Sequence, residues 1–544
     1  MRVRVNRWWI VAFLICGGFL LAAPDLEAQT GGWRPDERIL ITDFGIVTAL
    51  ARSPGSVFAA TAGGLIILDE AFERFDPPIT VEDGYPLLAP TAMVYDHRDG
   101  SVWLASAGDL FQFDPFGRRF RDRIGVGRPV TGLVPAEASG SELFVRIGTE
   151  WWRVDTFSRA LRRADPASVL AAIDSRSDLR AREEALRDPF FVDEAEQAAR
   201  PWSGQAMRIL DVIPSRDAYG WWLGTAGAFL VRYDAIGRVG NRTPLGPAGV
   251  GMASVVSTGD EVWFAPDLAL EGRYGVASAT RDLQQWRVWR ADSSRAVPDL
   301  VNDLLRVPGG MWAGGESGLY WMGDGRPEWR KEQDVNLSYL PVLSLASASG
   351  PAAEAVWVGT ARGLLRVRAA GGDIDLSALP SEVVGSVVEA DGQVWIGTLH
   401  GVYGMPVPDS IGQTVRAGQV EGGAALRSPV GALTASGDTV YAGLDREVWW
   451  KAGGEAQWTR LEAAGRARAV VSALAIHDGV LWVGSAAELT VLEVAGGVVG
   501  RYSFGPDLPP GPRGETGIAD ISVVSATEAW VALPAGAIRL EVRH

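Results

Sequence analysis

Residues 356–368 read VWVGTARGLLRVR, and residues 394–405 read VWIGTLHGVYGM. Each opens on an apolar segment carrying Trp, passes through Gly-Thr into a turn, and leaves on a segment of alternating character. Alternation with a period of two marks a strand with two unlike faces, and small residues between two such segments mark a turn. Both stretches therefore read as strand–turn–strand units, built to the same pattern 38 residues apart.

The same pattern recurs along the chain. It stands at 57–69 (VFAATAGGLIILD), 102–114 (VWLASAGDLFQFD), 221–234 (WWLGTAGAFLVRYD), 311–322 (MWAGGESGLYWM), 440–450 (VYAGLDREVWW), 481–494 (LWVGSAAELTVLEV) and 529–542 (AWVALPAGAIRLEV). Two degenerate copies, 143–155 (LFVRIGTEWWRVD) and 262–275 (VWFAPDLALEGRYG), bring the total to eleven. A β-branched segment precedes each copy, as at 47–52 (VTALAR) and 384–390 (VGSVVEA), often joined to it by Asp-Gly. An aromatic and basic segment follows, as at 72–75 (FERF) and 286–289 (WRVW). Four strands per unit at a spacing of about 40–50 residues is the plan of a β-propeller blade. The fold expected is all-β: about eleven four-stranded repeats arranged as two rings or as one large ring.

A lone four-stranded sheet has two faces to cover, and stacking against the next sheet covers both. The 22 tryptophans are accordingly expected to pack between sheets, a large flat aromatic filling the wedge between twisted blades. The chain stops on the third strand of its last repeat, while residues 37–43 (ERILITD) form a lone strand-like segment before the first full repeat. That segment is expected to complete the last blade and remove an open sheet edge.

The repeat is interrupted at 156–208. Within it, 166–188 (PASVLAAIDSRSDLRAREEALRD) has helical periodicity with Pro near both ends, and 189–202 follows with Phe190 and Phe191. This reads as a helical insertion, either a rim decoration or a binding element. The domain plan is a signal peptide at 1–28, propeller repeats at 29–155 with 37–43 closing the last blade, the insertion at 156–208, and further repeats at 209–544.

The first residues carry Arg2, Arg4 and Arg7, then an apolar run from Trp8 to Ala23 and small residues, with the cut expected after Ala28. Export to the periplasm or the extracellular space is expected. Cys16 lies in that apolar run and is the only cysteine, so disulfides, thiolate catalysis and cysteine metal sites are excluded for the mature chain. No later stretch is long and apolar enough for a membrane span. The net charge of −15 disfavours nucleic acid and anionic lipid as partners.

The units at 356–368 and 394–405 resemble the repeats of the two-component regulator propeller family, and the resemblance covers nearly all of the chain outside 156–208. It implies a propeller fold and, from the best-known members, a periplasmic glycan-sensing role. Similar repeats occur in accessory proteins of bacterial secretion. The usual membrane span, kinase region and immunoglobulin-like linker are not found here.

Signs of chemistry are few. His97, His400 and His477 are expected in turns, and His544 is the last residue, with no metal-ligand spacing among them. No nucleophile elbow or phosphate loop is present. Asp83, Asp99, Asp391, Asp438 and Asp478 fall in turns, where tight hairpin geometry is reason enough for them. No catalytic, cofactor-binding or metal-ligating residue is assigned, no cofactor is expected, and the ligand-binding residues stay unknown at this level. The reading is a non-catalytic exported scaffold or adaptor that binds another envelope protein. A glycan sensor is the alternative, and a propeller lyase or hydrolase a lesser one.

Overall fold

The computed structural model describes residues 38–542 except 137–140, 188–207, 268–274, 291–296, 333–336, 349–354, 369–373, 409–416, 421–423 and a few isolated positions. The expected signal peptide, with Cys16 and the cut after Ala28, lies outside the described residues, as do 189–202 and His544.

Eleven four-stranded antiparallel sheets follow one another along the chain. Numbered by their first strands, they begin at Val47, Ala92, Val130, Ile209, Met252, Val301, Val342, Val384, Val430, Val471 and Asp520. In ten of them the four strands run in sequence order. In sheet 11 the fourth strand is Arg38–Ile41, paired antiparallel with Gly536–Glu541 so that Leu40 faces Ile538 and Ile41 faces Ala537. The segment expected to close the last blade thus does so.

The sheets are arranged in two closed circuits. In one, the first strands of sheets 5 to 11 pack side by side, with sheet 11 returning to sheet 5. In the other, sheet 4 packs on sheet 1, sheet 1 on sheet 2 and sheet 2 on sheet 3, and two helices bridge sheets 3 and 4. The small ring is inserted in the large one: the chain leaves after Arg38–Ile41, builds sheets 1 to 4, and comes back at Met252. The outgoing and returning crossings touch, since a Cβ on Gly246 would lie 2.7 Å from the Thr42 carbonyl oxygen. One apolar cluster joins the rings, with Phe44, Val47 and Leu230 on one side and Met252, Phe264 and Trp530 on the other.

Three features of the repeat explain why sheet stacks on sheet. The aromatic of the second strand is buried in every sheet, and Trp312, Trp482 and Trp530 are among the most enclosed side chains, as packing between blades requires. The Thr of Gly-Thr folds back over its own turn: Thr61 Oγ1 donates to Gly64 O (2.7 Å), Thr360 to Gly363 O (2.8 Å) and Thr398 to Gly401 O (2.9 Å). The Gly at the end of the second strand, followed by Thr in several units, meets the first residue of the next sheet. A Cβ at Gly314, Gly397 or Gly443 would sit 2.3, 2.7 or 2.5 Å from a γ-carbon of Val342, Val430 or Val471. Gly224 of sheet 4 approaches Val47 of sheet 1 in the same way, so the contact that joins neighbours also closes the small ring.

The insertion departs from the expected boundaries. Residues 156–163 still belong to sheet 3, whose fourth strand is Leu161–Arg163. Helix α1 (Pro166–Asp174) and helix α2 (Ser177–Ala185) follow. The start of α1 is set by Asp165, whose carboxylate accepts from Ala167 N, with Pro166 in the first turn. Val169, Ala172 and Leu179 pack against sheet 3, and Ala185 packs against sheet 4. The helix pair therefore stands between sheets 3 and 4 as part of the small ring rather than as a rim decoration. Three local expectations also shift. The fourth strand of sheet 1 is only Arg74–Phe75, because Phe72 and Glu73 form the turn. The third strand of sheet 5 begins at Gly275. His477 ends the strand Val471–His477 rather than lying in a turn. No described helix is long and apolar enough to cross a membrane.

Candidate functional site

Two places concentrate polar chemistry, one enclosed between the blades and one open. The enclosed one follows from the register. In several sheets an Asp or Ser near the start of the first strand accepts a backbone N–H of the next sheet, although Ser344 at that place in sheet 7 does not. Asp303 accepts from Leu345 N (2.7 Å), Ser386 from Leu433 N (2.8 Å) and Ser254 from Leu304 N (3.2 Å). Asp520 accepts from Val255 N (3.0 Å) and Asp211 from Leu50 N (2.7 Å), and these two bonds cross the closures of the large and small rings.

Ser254 also donates to Asp520 (2.7 Å) and lies within reach of Asp303. Two carboxyls thus share one hydroxyl across three adjacent blades. Burial raises both pKa values, and the charge of Asp520 pushes Asp303 well above the usual carboxylate range. A raised pKa means that the folded state holds its proton where the unfolded chain would have lost it. The resulting stability is complete below the unfolded pKa of about 4 and is lost as pH rises through the folded value. Asp303→Asn keeps an acceptor for Leu345 N and cannot ionise. The variant is expected to show a flatter rise and fall of melting temperature with pH and to equal or exceed the parent at pH 8. A parent and variant with parallel pH profiles would contradict this assignment.

The open place is a cleft of about 640 Å³ between sheets 5 and 6, on the side of their first and third turns. Glu261 opens the second strand of sheet 5, and Arg287 on its fourth strand donates to it at 2.9 Å. Arg306, near the end of the first strand of sheet 6, grips Asp324 with both terminal nitrogens at 2.6 and 3.0 Å. Trp263 forms part of the lining, held by a parallel stack on Trp289 at 5.3 Å and the edge of Trp329 at 6.3 Å. Arg326 completes the set of guanidinium groups. All four partners of the two ion pairs are partly exposed, so each pair holds little energy, about 1 kcal/mol or less. Planar forks in such a setting can exchange an internal carboxylate for one on a ligand or partner. The lining also carries the Thr258 hydroxyl and the Asp260 carboxylate.

The sequence-level candidates do not converge. His97 lies edge-on to Tyr95 in sheet 2, His400 Nδ1 is 2.7 Å from Glu382, and His477 neighbours Asp478 at 3.5 Å. Asp83 caps the short helix Val81–Asp83 by accepting from Thr80 N, and Asp99 accepts from Ser101 N. Asp391 and Asp478 have φ of 52° and 47° before glycines at 64° and 78°, the geometry of two-residue hairpin turns. Asp438 follows Gly437 in the corresponding turn of sheet 9. Among the described residues no group of three or more His, Cys, Asp or Glu is placed to hold a metal ion. The cleft residues went unnoticed in the sequence because only the register brings 261, 287, 306 and 324 together. An Asp within the apolar strands ILDVIP and VNDLLRV was a visible signal, since an unsupported carboxylate there is costly.

Among solved structures the chain is similar to PorZ, described as an essential bacterial surface component of the type-IX secretion system of Porphyromonas gingivalis. Identity is 11%, 93% of this chain and 87% of that one are covered, and the TM-score is 0.57. The chain is a two-ring β-propeller. The extracellular domain of the putative hybrid two-component system BT3049 from B. thetaiotaomicron also matches, at 14% identity and a TM-score of 0.44 over 90% of this chain. The chain spans 60% of that domain's length. No protein-family model and no curated protein matches the sequence.

Proposed function

We propose that the chain is an exported, non-catalytic propeller scaffold that binds another protein of the cell envelope, with the cleft between sheets 5 and 6 receiving part of that partner. The cleft carries the reading: it presents guanidinium forks already paired to exposed carboxylates, groups that a partner's charged side chains can engage. The acids with raised pKa are engaged in blade-to-blade hydrogen bonds, which supports a structural use for the groups an enzyme would need. The described role of PorZ as a secretion-system surface component, together with the leader-like residues 1–28, supports export and an envelope partner.

The test is cross-linking and capture of the tagged mature protein from its own envelope, beside the variant Arg287→Ala/Arg306→Ala. The expected result is one stoichiometric partner that the variant loses by at least about tenfold, the scale of removing two charge-assisted contacts. Equal recovery from both proteins would remove the cleft from the interface. The partly exposed guanidinium and carboxylate groups can also hydrogen-bond sugar hydroxyls, which favours a second reading, a glycan-binding cleft. A melting-temperature rise with a defined oligosaccharide that the variant lacks, and no protein partner, would establish it instead.

A further inference from the structure

The turn between third and fourth strands has an unusual tip in the small ring. Phe72, Phe116, Phe157 and Ile236 stand at this turn in sheets 1 to 4, and they are 73%, 100%, 94% and 69% exposed. In each, the Asp that ends the third strand (Asp69, Asp114, Asp155 or Asp234) accepts the backbone N–H of the tip residue at 2.9–3.1 Å. The tips are thus held outward by Asp-anchored turns, two residues after the Asp in sheets 2 to 4 and three after it in sheet 1. Ion pairs stitch the neighbours together: Arg232 to Glu73 (2.8 Å), Arg118 to Asp76 (3.0 Å) and Arg159 to Asp122 (3.1 Å). In the large ring, Leu283 in this turn of sheet 5 is buried, as are Trp329 and Trp458 just before the fourth strands of sheets 6 and 9. Among the described residues, outward apolar tips at this turn therefore occur in the small ring.

We propose that these tips dock the protein onto an anionic phospholipid surface, an inference that goes beyond the scaffold reading and does not depend on it. Single aromatic rings projecting separately from rigid turns leave no groove for a protein to fill, whereas each can enter the boundary between headgroups and acyl chains. The charge beside them has the required sign. On the two hairpins that carry Phe116 and Phe157, residues 114–123 and 155–163, there are seven arginines against three acidic residues, in a chain of net charge −15. Arg74, Arg119 and Arg162 are exposed on the same hairpins as the tips. Basic side chains near an anionic surface each contribute about 1 kcal/mol, and their aliphatic stems can lie along the interface. Glu73 and Asp76 beside the Phe72 tip, and Asp217 in sheet 4, lie on the same face, so the basic excess is local to the tips of sheets 2 and 3.

The experiment is flotation of the mature full-length protein with vesicles of phosphatidylglycerol and phosphatidylcholine, and with phosphatidylcholine alone. The comparison is Phe116→Ser/Phe157→Ser, two substitutions at exposed tips that leave the core untouched. The expected result is binding to the anionic vesicles that weakens with salt and falls about tenfold per phenylalanine removed. Absence of flotation, equal flotation on neutral vesicles, or undiminished flotation of the variant overturns the proposal. A protein dimer that the same substitutions dissolve, without flotation, assigns the tips to a second copy and overturns it too.

Discussion

Arg182→Ala is expected to cost about 3–5 kcal/mol of stability in the small ring, the range found when one partner of a buried ion pair is removed. Arg182 lies on α2 and donates to both oxygens of Asp211 at 2.8 and 2.6 Å, and to the Met93 carbonyl at 3.3 Å. Asp211 is buried and accepts two further backbone N–H groups, from Leu50 and Val212. One carboxylate thus binds the helix pair to sheet 4 and sheet 4 to sheet 1, while the arginine reaches across to sheet 2. Burial raises the pKa of Asp211, and Arg182 opposes that rise.

Without the arginine the carboxyl is driven further towards its neutral form. A raised acid pKa gives stability that is complete below the unfolded value and lost as pH rises through the folded one. The variant should therefore lose more at pH 8 than at pH 5. Urea denaturation at both pH values measures this, and Asp211→Asn in the same background should recover part of the loss at pH 8. A deficit under 1 kcal/mol, or one larger at pH 5, would show that the helix pair is held by its apolar contacts alone. Deleting the insertion is correspondingly a poor probe of partner binding, because it removes part of a ring.

How much of this was legible in the sequence depended on whether a feature repeats within one unit or arises between units. The strand order, the Trp position, the Gly-Thr turn and the closing strand are properties of a unit, and residues 356–368 display them in full. Ring membership is not. Val47 and Val342 begin similar strands, yet one follows sheet 4 around a small ring and the other follows sheet 6. Nothing within either unit records its spatial neighbour. The helices at 166–185 were readable from their period, but their place in the ring depends on Arg176 and Arg182, whose partners Tyr95 and Met93 lie more than 80 residues earlier. The tips were visible as DEAF, DPF, DTF and DAI, but the first was read as strand because FERF alternates. A tip fixed by an Asp side chain needs no strand continuation to point outward.

The glycine of the Gly-Thr pair permits the sharpest test of how one unit recognises the next. Gly397 has no left-handed φ to explain it, so its conformational freedom is not the reason for its presence. The reason is distance. An added Cβ would lie 2.7 Å from Val430 Cγ1, 3.0 Å from Val430 Cβ and 3.3 Å from Ser386 Cβ. A β-branched side chain at Val430 has little rotamer freedom with which to retreat. Gly397→Ala should cost about 1–3 kcal/mol, the usual range for overpacking an interior. Val430→Ala alone should also destabilise, through the loss of buried methyl groups. Together the two should cost less than their sum by about 1 kcal/mol or more, because the smaller residue makes room for the added methyl. The same cycle on Gly443 and Val471, whose approach is 2.5 Å, should give the same sign. Additive costs in both cycles would mean that the backbone, and not the valine, excludes a side chain there. The close approach would then be a consequence of how the blades stack rather than what fixes their spacing.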